Sequence, residues 1–195
     1  MNEELKPVYS ILDVGCGTNS HLRILKNANH YKVGVDIYKP SILKSRKQNI
    51  HDNYIQMNVN ELESTIRDKS FDCVIAFDLI EHLETDDGLR LIKAMEKVAL
   101  SKVILLTPNG FIPQTKYEGN QYQVHLSGWE TDEMIKMGYR VIGINGWKKM
   151  YKVKNEMAEI RWFPKFFWHK IAMLSHLITK HYPHHAFQLL CIKEL

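Results

Sequence analysis

Ile11-Leu12-Asp13-Val14-Gly15-Cys16-Gly17-Thr18-Asn19-Ser20 decides how the rest of the chain is read. A short apolar run meets an acid, and two glycines one residue apart follow at once. The pattern predicts a buried strand that breaks sharply into a loop and then a helix, with bare main chain at the bend. Glycine accepts positive φ there and lets a ligand come close to the backbone. A nucleotide-like ligand fits such a bend.

The neighbouring residues narrow the ligand. A dinucleotide loop reads G-x-G-x-x-G, its third glycine letting the helix pack tightly with its amino end on a pyrophosphate. Here that position holds Ser20, with Asn19 beside it. Asp13 would repel a pyrophosphate but suits a cationic group such as an amino-acid ammonium or a sulfonium. The loop therefore favours S-adenosylmethionine over NAD. A second apolar run, Lys32-Val33-Gly34-Val35-Asp36-Ile37, ends in another acid 19 residues after Gly17. In a strand-helix-strand unit an acid at that position accepts both ribose hydroxyls; otherwise Asp36 is a solvated turn residue.

Together these acids and glycines resemble the class I S-adenosylmethionine-dependent methyltransferases, and the likeness continues in order over residues 10 to 145 and the last ten. Asn58-Val59 stands where that family contacts the adenine, usually through an acid. Phe71 to Leu83 looks like the family's fourth strand and following loop. Its Asp78-Leu79-Ile80-Glu81-His82-Leu83 is similar to a subgroup that includes ubiquinone-biosynthesis and many small-molecule and glycan methyltransferases. Val103 to Gly110 matches the fifth strand. The resemblance implies an α/β, Rossmann-like, doubly wound and mostly parallel seven-stranded sheet with an antiparallel last strand. It implies S-adenosyl-L-methionine as cofactor and S-adenosyl-L-homocysteine as product. The cofactor-binding set it suggests is Asp13, Gly15, Cys16, Gly17, Asp36, Ile37, Asn58, Val59 and Asp78. Asp13 and the glycine loop would hold the methionine end.

Composition sets outer limits. A chain of 195 residues is long enough for one substantial core, and 45% hydrophobic with 25% charged residues is the balance of a globular protein. One domain over 1–195 is expected, with 148–185 a helical, aromatic and basic insertion before the last strand. Cys16, Cys73 and Cys191 fall in separate apolar segments without framework spacing, so they read as reduced core residues. None of the ten histidines pairs with a cysteine at metal spacing, and no metal is expected. Met1-Asn2-Glu3-Glu4 lacks the features of a signal peptide and no run of about 18 apolar residues occurs, so a cytoplasmic location is expected. About ten residues precede the first strand, which leaves the cofactor pocket open or covered by another segment.

Charge is uneven. Residues 1–145 carry 17 Lys and Arg against 19 Asp and Glu; residues 146–195 carry 9 against 3, with five histidines besides. The tail therefore suits an anionic or lipid-linked substrate, a membrane surface or nucleic acid, or its lysines simply solvate a helix. Phe163, Phe167, Ile171, Leu174 and Ile178 fall on one helical stripe, with Lys165, His169, His176, Thr179 and Lys180 elsewhere around it. Core packing, a pocket lid, a homodimer face and peripheral membrane contact all remain open for this segment.

Helices are expected over Ser20–Asn29 (Leu22, Ile24 and Leu25 inward), Pro40–Gln48, Glu61–Arg67, a stretch capped by Thr85 or Asp86, and Thr131–Met137 capped by Thr131. The irregular segment Asn109 to Gly128 is long for a compact domain, which points to a functional loop. It holds Tyr117, Tyr122, Gln123 and His125, with Trp129 just beyond. Its Tyr-Gln-Val-His-Leu-Ser-Gly-Trp resembles a segment in which the same subgroup turns a histidine to the methyl-transfer site. The catalytic candidates are His125, His82 and Tyr122, with Asp78 on the same acceptor side. A neutral imidazole can take a proton near neutral pH. His82 could instead pack against the adenine, and His125 could merely pin the loop. The reading is methyl transfer to a hydroxyl, rather than N or C, of a small-molecule, sugar or lipid-linked acceptor. Nucleic acid is disfavoured because Asp78-Leu79-Ile80-Glu81 replaces the Asn/Asp-Pro-Pro-Tyr/Phe common in base-methylating enzymes. A non-catalytic S-adenosylmethionine-binding module is the other alternative.

Overall fold

In the computed structural model of the chain, residues 2–5, 8–25, 30–116, 120–154 and 157–195 are described. Tyr117 and the end of the first expected helix, 26–29, lie outside them. The helices are α1 (Asn2–Leu5), α2 (Lys39–Lys47), α3 (Leu62–Thr65), α4 (Thr85–Val98), α5 (Thr131–Lys136) and α6 (Lys165–Thr179). The strands are β1 (Ser10–Val14), β2 (Tyr31–Asp36), β3 (Asn53–Gln56), β4 (Phe71–Phe77), β5 (Ala99–Pro108), β6 (Arg140–Trp147), β7 (Tyr151–Lys154), β8 (Met157–Ile160) and β9 (Ala186–Glu194). Seven of them form one sheet in the order β3-β2-β1-β4-β5-β9-β6, and β7 pairs with β8 separately. The expected α/β architecture is present: β1 runs parallel to β2 and β4, β2 parallel to β3, and β9 antiparallel to β6. The residues divide into two compact units, one of 1–80, 86–104 and 193–195, the other of 81–85 and 105–192.

In the first unit, β1 and β4 are almost wholly buried, as strands covered on both faces must be. That is why Ile11-Leu12 and Cys73 to Ala76 read as continuous apolar runs. Helix α4 buries Leu91, Ile92, Met95 and Val98 at the spacing expected of one helix face. The segment after Ser20 departs from expectation. It is a 3-10 helix, His21–Leu25, in which Leu22 is fully buried while Ile24 stands 60% exposed. Three residues per turn put residue 24 above residue 21 on an outer edge, where 3.6 would have turned it further round. The helix expected over Glu61–Arg67 is likewise a 3-10 turn, Val59–Glu61, followed by one turn of α-helix.

In the second unit, the cap of α5 is Glu130 rather than Thr131, and the Glu133 side chain accepts the Glu130 backbone N–H. Thr131 is buried instead. Between β6 and β9 stand the hairpin β7–β8, which the sequence did not announce, and α6. Helix α6 lies tightly on β6: a Cβ added at Gly146 or Gly143 would sit 2.0 Å from the Ala172 carbonyl oxygen or 2.2 Å from that of Thr179. The three cysteines are buried free thiols, and burial pushes those of Cys73 and Cys191 up to about 12. No helix among the described residues is long and apolar enough to cross a membrane.

Candidate functional site

The first unit gathers the two acids and the glycine loop. The loop turns at Gly15 and Gly17, with φ of +70° and +56°. At Gly15 a Cβ would also strike the Leu79 side chain at 2.6 Å, so the position needs glycine twice over. At Gly17 the nearest atom to such a Cβ is 4.0 Å away. Asp36 ends β2 and ties the two motif segments together. One carboxylate oxygen accepts the Gly17 N–H at 2.8 Å and the other the Tyr38 N–H at 2.7 Å. The Ile37 N–H also faces this carboxylate, whose roughly four lone-pair sites still leave capacity for a ligand hydroxyl. Burial raises the Asp36 carboxyl above its ordinary value, the Tyr38 and Gly17 N–H groups opposing it.

Asp13 lies deeper, 2% exposed. One of its oxygens accepts from the Ser20 hydroxyl and, at 2.8 Å, from the His51 ring Nε2. His51 is itself buried, and Tyr54 meets its ring edge-on at 5.1 Å. Sequence reasoning singled out neither Ser20 nor His51 as a partner of Asp13. No spacing signal links residues 13 and 51; tertiary packing brings them together. The Cys16 N–H bonds the Val35 carbonyl, while its thiol is buried and held far up by that burial and by Asp13 and Asp36. Ile37 is half-buried and Val59 buried; Asn58 is exposed and caps its own turn through the Asn60 N–H. Asp78 follows β4 at φ +49°, and burial raises its carboxyl although the nearby His21 works the other way.

The second unit carries a different constellation. His82 and His125 face each other edge to face, ring centroids 4.7 Å apart. Each has its Nδ1 on a main-chain carbonyl: His82 on Val124 at 3.2 Å, His125 on Ile112 at 2.6 Å. A carbonyl only accepts, so both rings donate from Nδ1, and in the neutral form the lone pair sits on Nε2. Burial holds the His125 imidazole below its ordinary value, the Ile112 bond acting against it. His125 therefore does pin its loop, and pinning fixes its tautomer as well. Glu81, which sequence reasoning passed over, joins the pair. It is buried, accepts from the Thr107 hydroxyl at 3.1 Å, and its backbone carbonyl takes the N–H groups of Leu126 and Ser127. One ligand atom from each of Glu81, His82 and His125 lies within 4.8 Å of the others. A carboxylate and two imidazoles at that spacing could hold a divalent cation. The expectation of no metal considered only cysteine partners and neighbouring positions. Tyr122 stands 42% exposed on the turn Gln121–Gln123.

Residues 12–107 match the family model described as Methyltransferase domain. A probable tRNA methyltransferase 9B from Homo sapiens is 32% identical over 97 residues, 49% of this chain and 20% of that protein. A ubiquinone biosynthesis O-methyltransferase from Rickettsia typhi is 31% identical over 104 residues, 51% of this chain and 37% of that one. The chain thus spans between a fifth and two fifths of these relatives' length. A SAM-dependent methyltransferase from Archaeoglobus fulgidus shares the fold with a TM-score of 0.64 at 15% identity, over 100% of this chain and 89% of the other. Residues 12–107, just under half of the chain, are thus similar to a methyltransferase domain, and the fold is one that S-adenosylmethionine-dependent methyltransferases of known structure share.

Proposed function

We propose that residues 1–195 act as one methyltransferase domain, moving a methyl group from S-adenosylmethionine to a hydroxyl of a small-molecule, sugar or lipid-linked acceptor. The observation that carries the acceptor assignment is the His82–His125 pair, with both Nδ1 atoms committed to carbonyls. Bound S-adenosylmethionine supplies a methyl group already activated on a sulfonium. The protein's task is to orient the two reactants and exclude water.

Asp36 is assigned the ribose hydroxyls, for which its carboxylate keeps capacity. Ile37, Asn58 and Val59 are assigned the adenine, and the main chain of Gly15, Cys16 and Gly17 the methionine end. Asp13 is buried and already accepts from Ser20 and His51, so it shapes the loop and favours a cationic ligand through its charge. Asp78 and Tyr122 are assigned to the acceptor side. As the acceptor oxygen bonds to the methyl carbon, the carbon–sulfur bond breaks and the hydroxyl proton passes to a neutral imidazole, His125 first. Imidazole serves a hydroxyl better than it serves carbon.

The Glu81–His82–His125 cluster favours a second reading of the same site. A divalent cation held there would bind the acceptor oxygen and acidify it, and the imidazoles would then be ligands rather than bases. The two relatives bear names that point to tRNA and to a ubiquinone intermediate, so RNA stays among the acceptors to test. Calorimetric titration with S-adenosylmethionine, and with NAD as control, tests the cofactor. A screen of hydroxylated acceptors and of tRNA, each with wild type and His125→Ala, tests the rest. Absence of S-adenosylmethionine binding by folded protein would sink the whole reading. Unchanged turnover of a good acceptor by His125→Ala would remove His125 from the chemistry.

A further inference from the structure

Helix α6 turns its small side chains inward and most of its large ones outward. Its inward face is made of small and polar side chains: Ala172 and Thr179 are buried and Ser175 half-buried, against the glycine-bearing strand β6. Ile171 and Trp168 add a partial contact with Met150 and Ile160. The large apolar residues point the other way. Phe166 is 70% exposed, Leu174 66% and Leu177 69%, and Met173, Ile178 and the preceding Phe163 are exposed with them. At 100° per residue, Phe166, Met173 and Leu177 fall on one line along the helix, directly opposite Ser175. Of the stripe expected from the sequence, Leu174 and Ile178 are therefore solvent-facing.

Charge says what this face suits. From residue 160 to 192 there is no Asp or Glu, while Arg161, Lys165, Lys170 and Lys180 are basic and five histidines stand among them. Lys170 rises from the apolar line itself, four residues after Phe166 and seven before Leu177. Lys165 meets Glu159 but stays largely exposed. Beside the helix a cavity of about 440 Å³, walled in part by Trp147, Tyr182 and Ile178, opens to solvent and has room for hydrocarbon. A two-fold dimer through this face would bring the same basic side chains against each other. An anionic lipid surface meets both features at once: hydrocarbon receives the apolar side chains, and headgroup phosphates receive the lysines, whose stems reach outward.

We propose that α6, with Phe163 before it, docks this chain on the surface of an anionic phospholipid bilayer, lying in the interface rather than crossing it. This does not depend on the methyltransferase reading, because lipid binding is measured without cofactor or acceptor. The test is co-sedimentation of the whole chain with vesicles of phosphatidylcholine containing about a quarter phosphatidylglycerol, and with pure phosphatidylcholine. Expected is binding to the anionic vesicles that weakens with added salt and falls about tenfold without the anionic lipid. The double variant Leu174→Asp/Leu177→Asp should lose binding by at least about tenfold with unchanged melting, since both side chains are already exposed. Lys170→Glu/Lys180→Glu should lose it on anionic vesicles alone. The proposal is overturned if the wild type stays in the supernatant, or binds both vesicles equally, or if the aspartate variant binds as the wild type does. It is also overturned if the wild type is a dimer that this variant converts to monomers while neither binds vesicles. A tRNA gel shift abolished by the lysine variant, again without vesicle binding, would hand the face to nucleic acid.

Discussion

The two compact units hold their polar groups in opposite ways. In the first, main-chain N–H groups donate to carboxylates: Gly17 and Tyr38 to Asp36. Negative charge is thereby kept at a strand end, where a cationic ligand with a ribose can use it. In the second, imidazoles donate to main-chain carbonyls, His82 to Val124 and His125 to Ile112. Those bonds keep the rings in one neutral tautomer, with lone pairs suited to a hydroxyl proton or a cation. On the proposed reading, one arrangement recognises charge and the other takes a proton. They should therefore fail separately when mutated.

The largest separation is expected at His125. His125→Ala should cut kcat/KM by about 10² to 10⁴ while S-adenosylmethionine affinity by calorimetry stays unchanged. Burial lowers the His125 imidazole in the folded chain, so the acid limb of the wild-type profile should fall below about pH 6.5. The stability consequence has a definite sign. A depressed imidazole contributes nothing adverse above its unfolded value and costs stability as pH falls through that value toward the folded one. An acid limb lying above the ordinary imidazole value would break the assignment.

The converse variant is Asp36→Ala. It should weaken S-adenosylmethionine binding by about 100-fold, the loss of two charge-assisted hydrogen bonds, without moving the pH profile of what activity remains. Asp36 is raised by burial, so its charge opposes folding at neutral pH. Relative to the variant, wild-type stability should decline as pH rises from the ordinary carboxylate value through the raised one. Equal affinity in the two proteins would mean that the acid is a turn residue and nothing more.

His51→Ala tests whether Asp13 is structural. Removing a partner from a buried carboxylate should lower the unfolding free energy by about 3 kcal/mol in urea titration. Cofactor affinity in the fraction that stays folded should drop less than in Asp36→Ala. A larger loss of affinity than of stability would make Asp13 a direct ligand contact instead.

The contrast also explains what was legible beforehand. Asp13, Gly15, Gly17 and Asp36 could be read because a strand ending in a glycine turn is a local device, written in consecutive residues. The mostly parallel seven-stranded sheet was implied by the resemblance, and β1, β2, β4 and β5 announce themselves as apolar runs, whereas the strand order is seen only in the fold. The Glu81–His82–His125 cluster could not, since it forms only when an irregular segment folds back and hangs Leu126 and Ser127 on the Glu81 carbonyl. His51 escaped for the same reason, its partnership with Asp13 being made by tertiary packing. For helix α6 the sequence left core, lid, dimer face and membrane contact open, on a different ground. Periodicity identifies an apolar face but does not say that Gly143 and Gly146 will accept the small residues on the other side.

The smallest expected effect makes the finest distinction within the second unit. Thr107→Val keeps the shape of a buried side chain and removes one donor to the Glu81 carboxylate. Losing that hydrogen bond should cost about 1 kcal/mol, or about fivefold in kcat/KM, with cofactor affinity untouched. What it does to metal affinity separates the two readings of the site. If Glu81, His82 and His125 hold a cation, the hydroxyl orients one of its ligands, and Co²⁺ binding followed by its visible absorption should weaken about tenfold. If His125 acts as a base with no cation, Co²⁺ should bind neither protein, and the fivefold loss should persist in the presence of chelator. Co²⁺ binding that is tight and identical in both proteins would exclude Glu81 from the ligand set, leaving the imidazole pair to carry the chemistry alone.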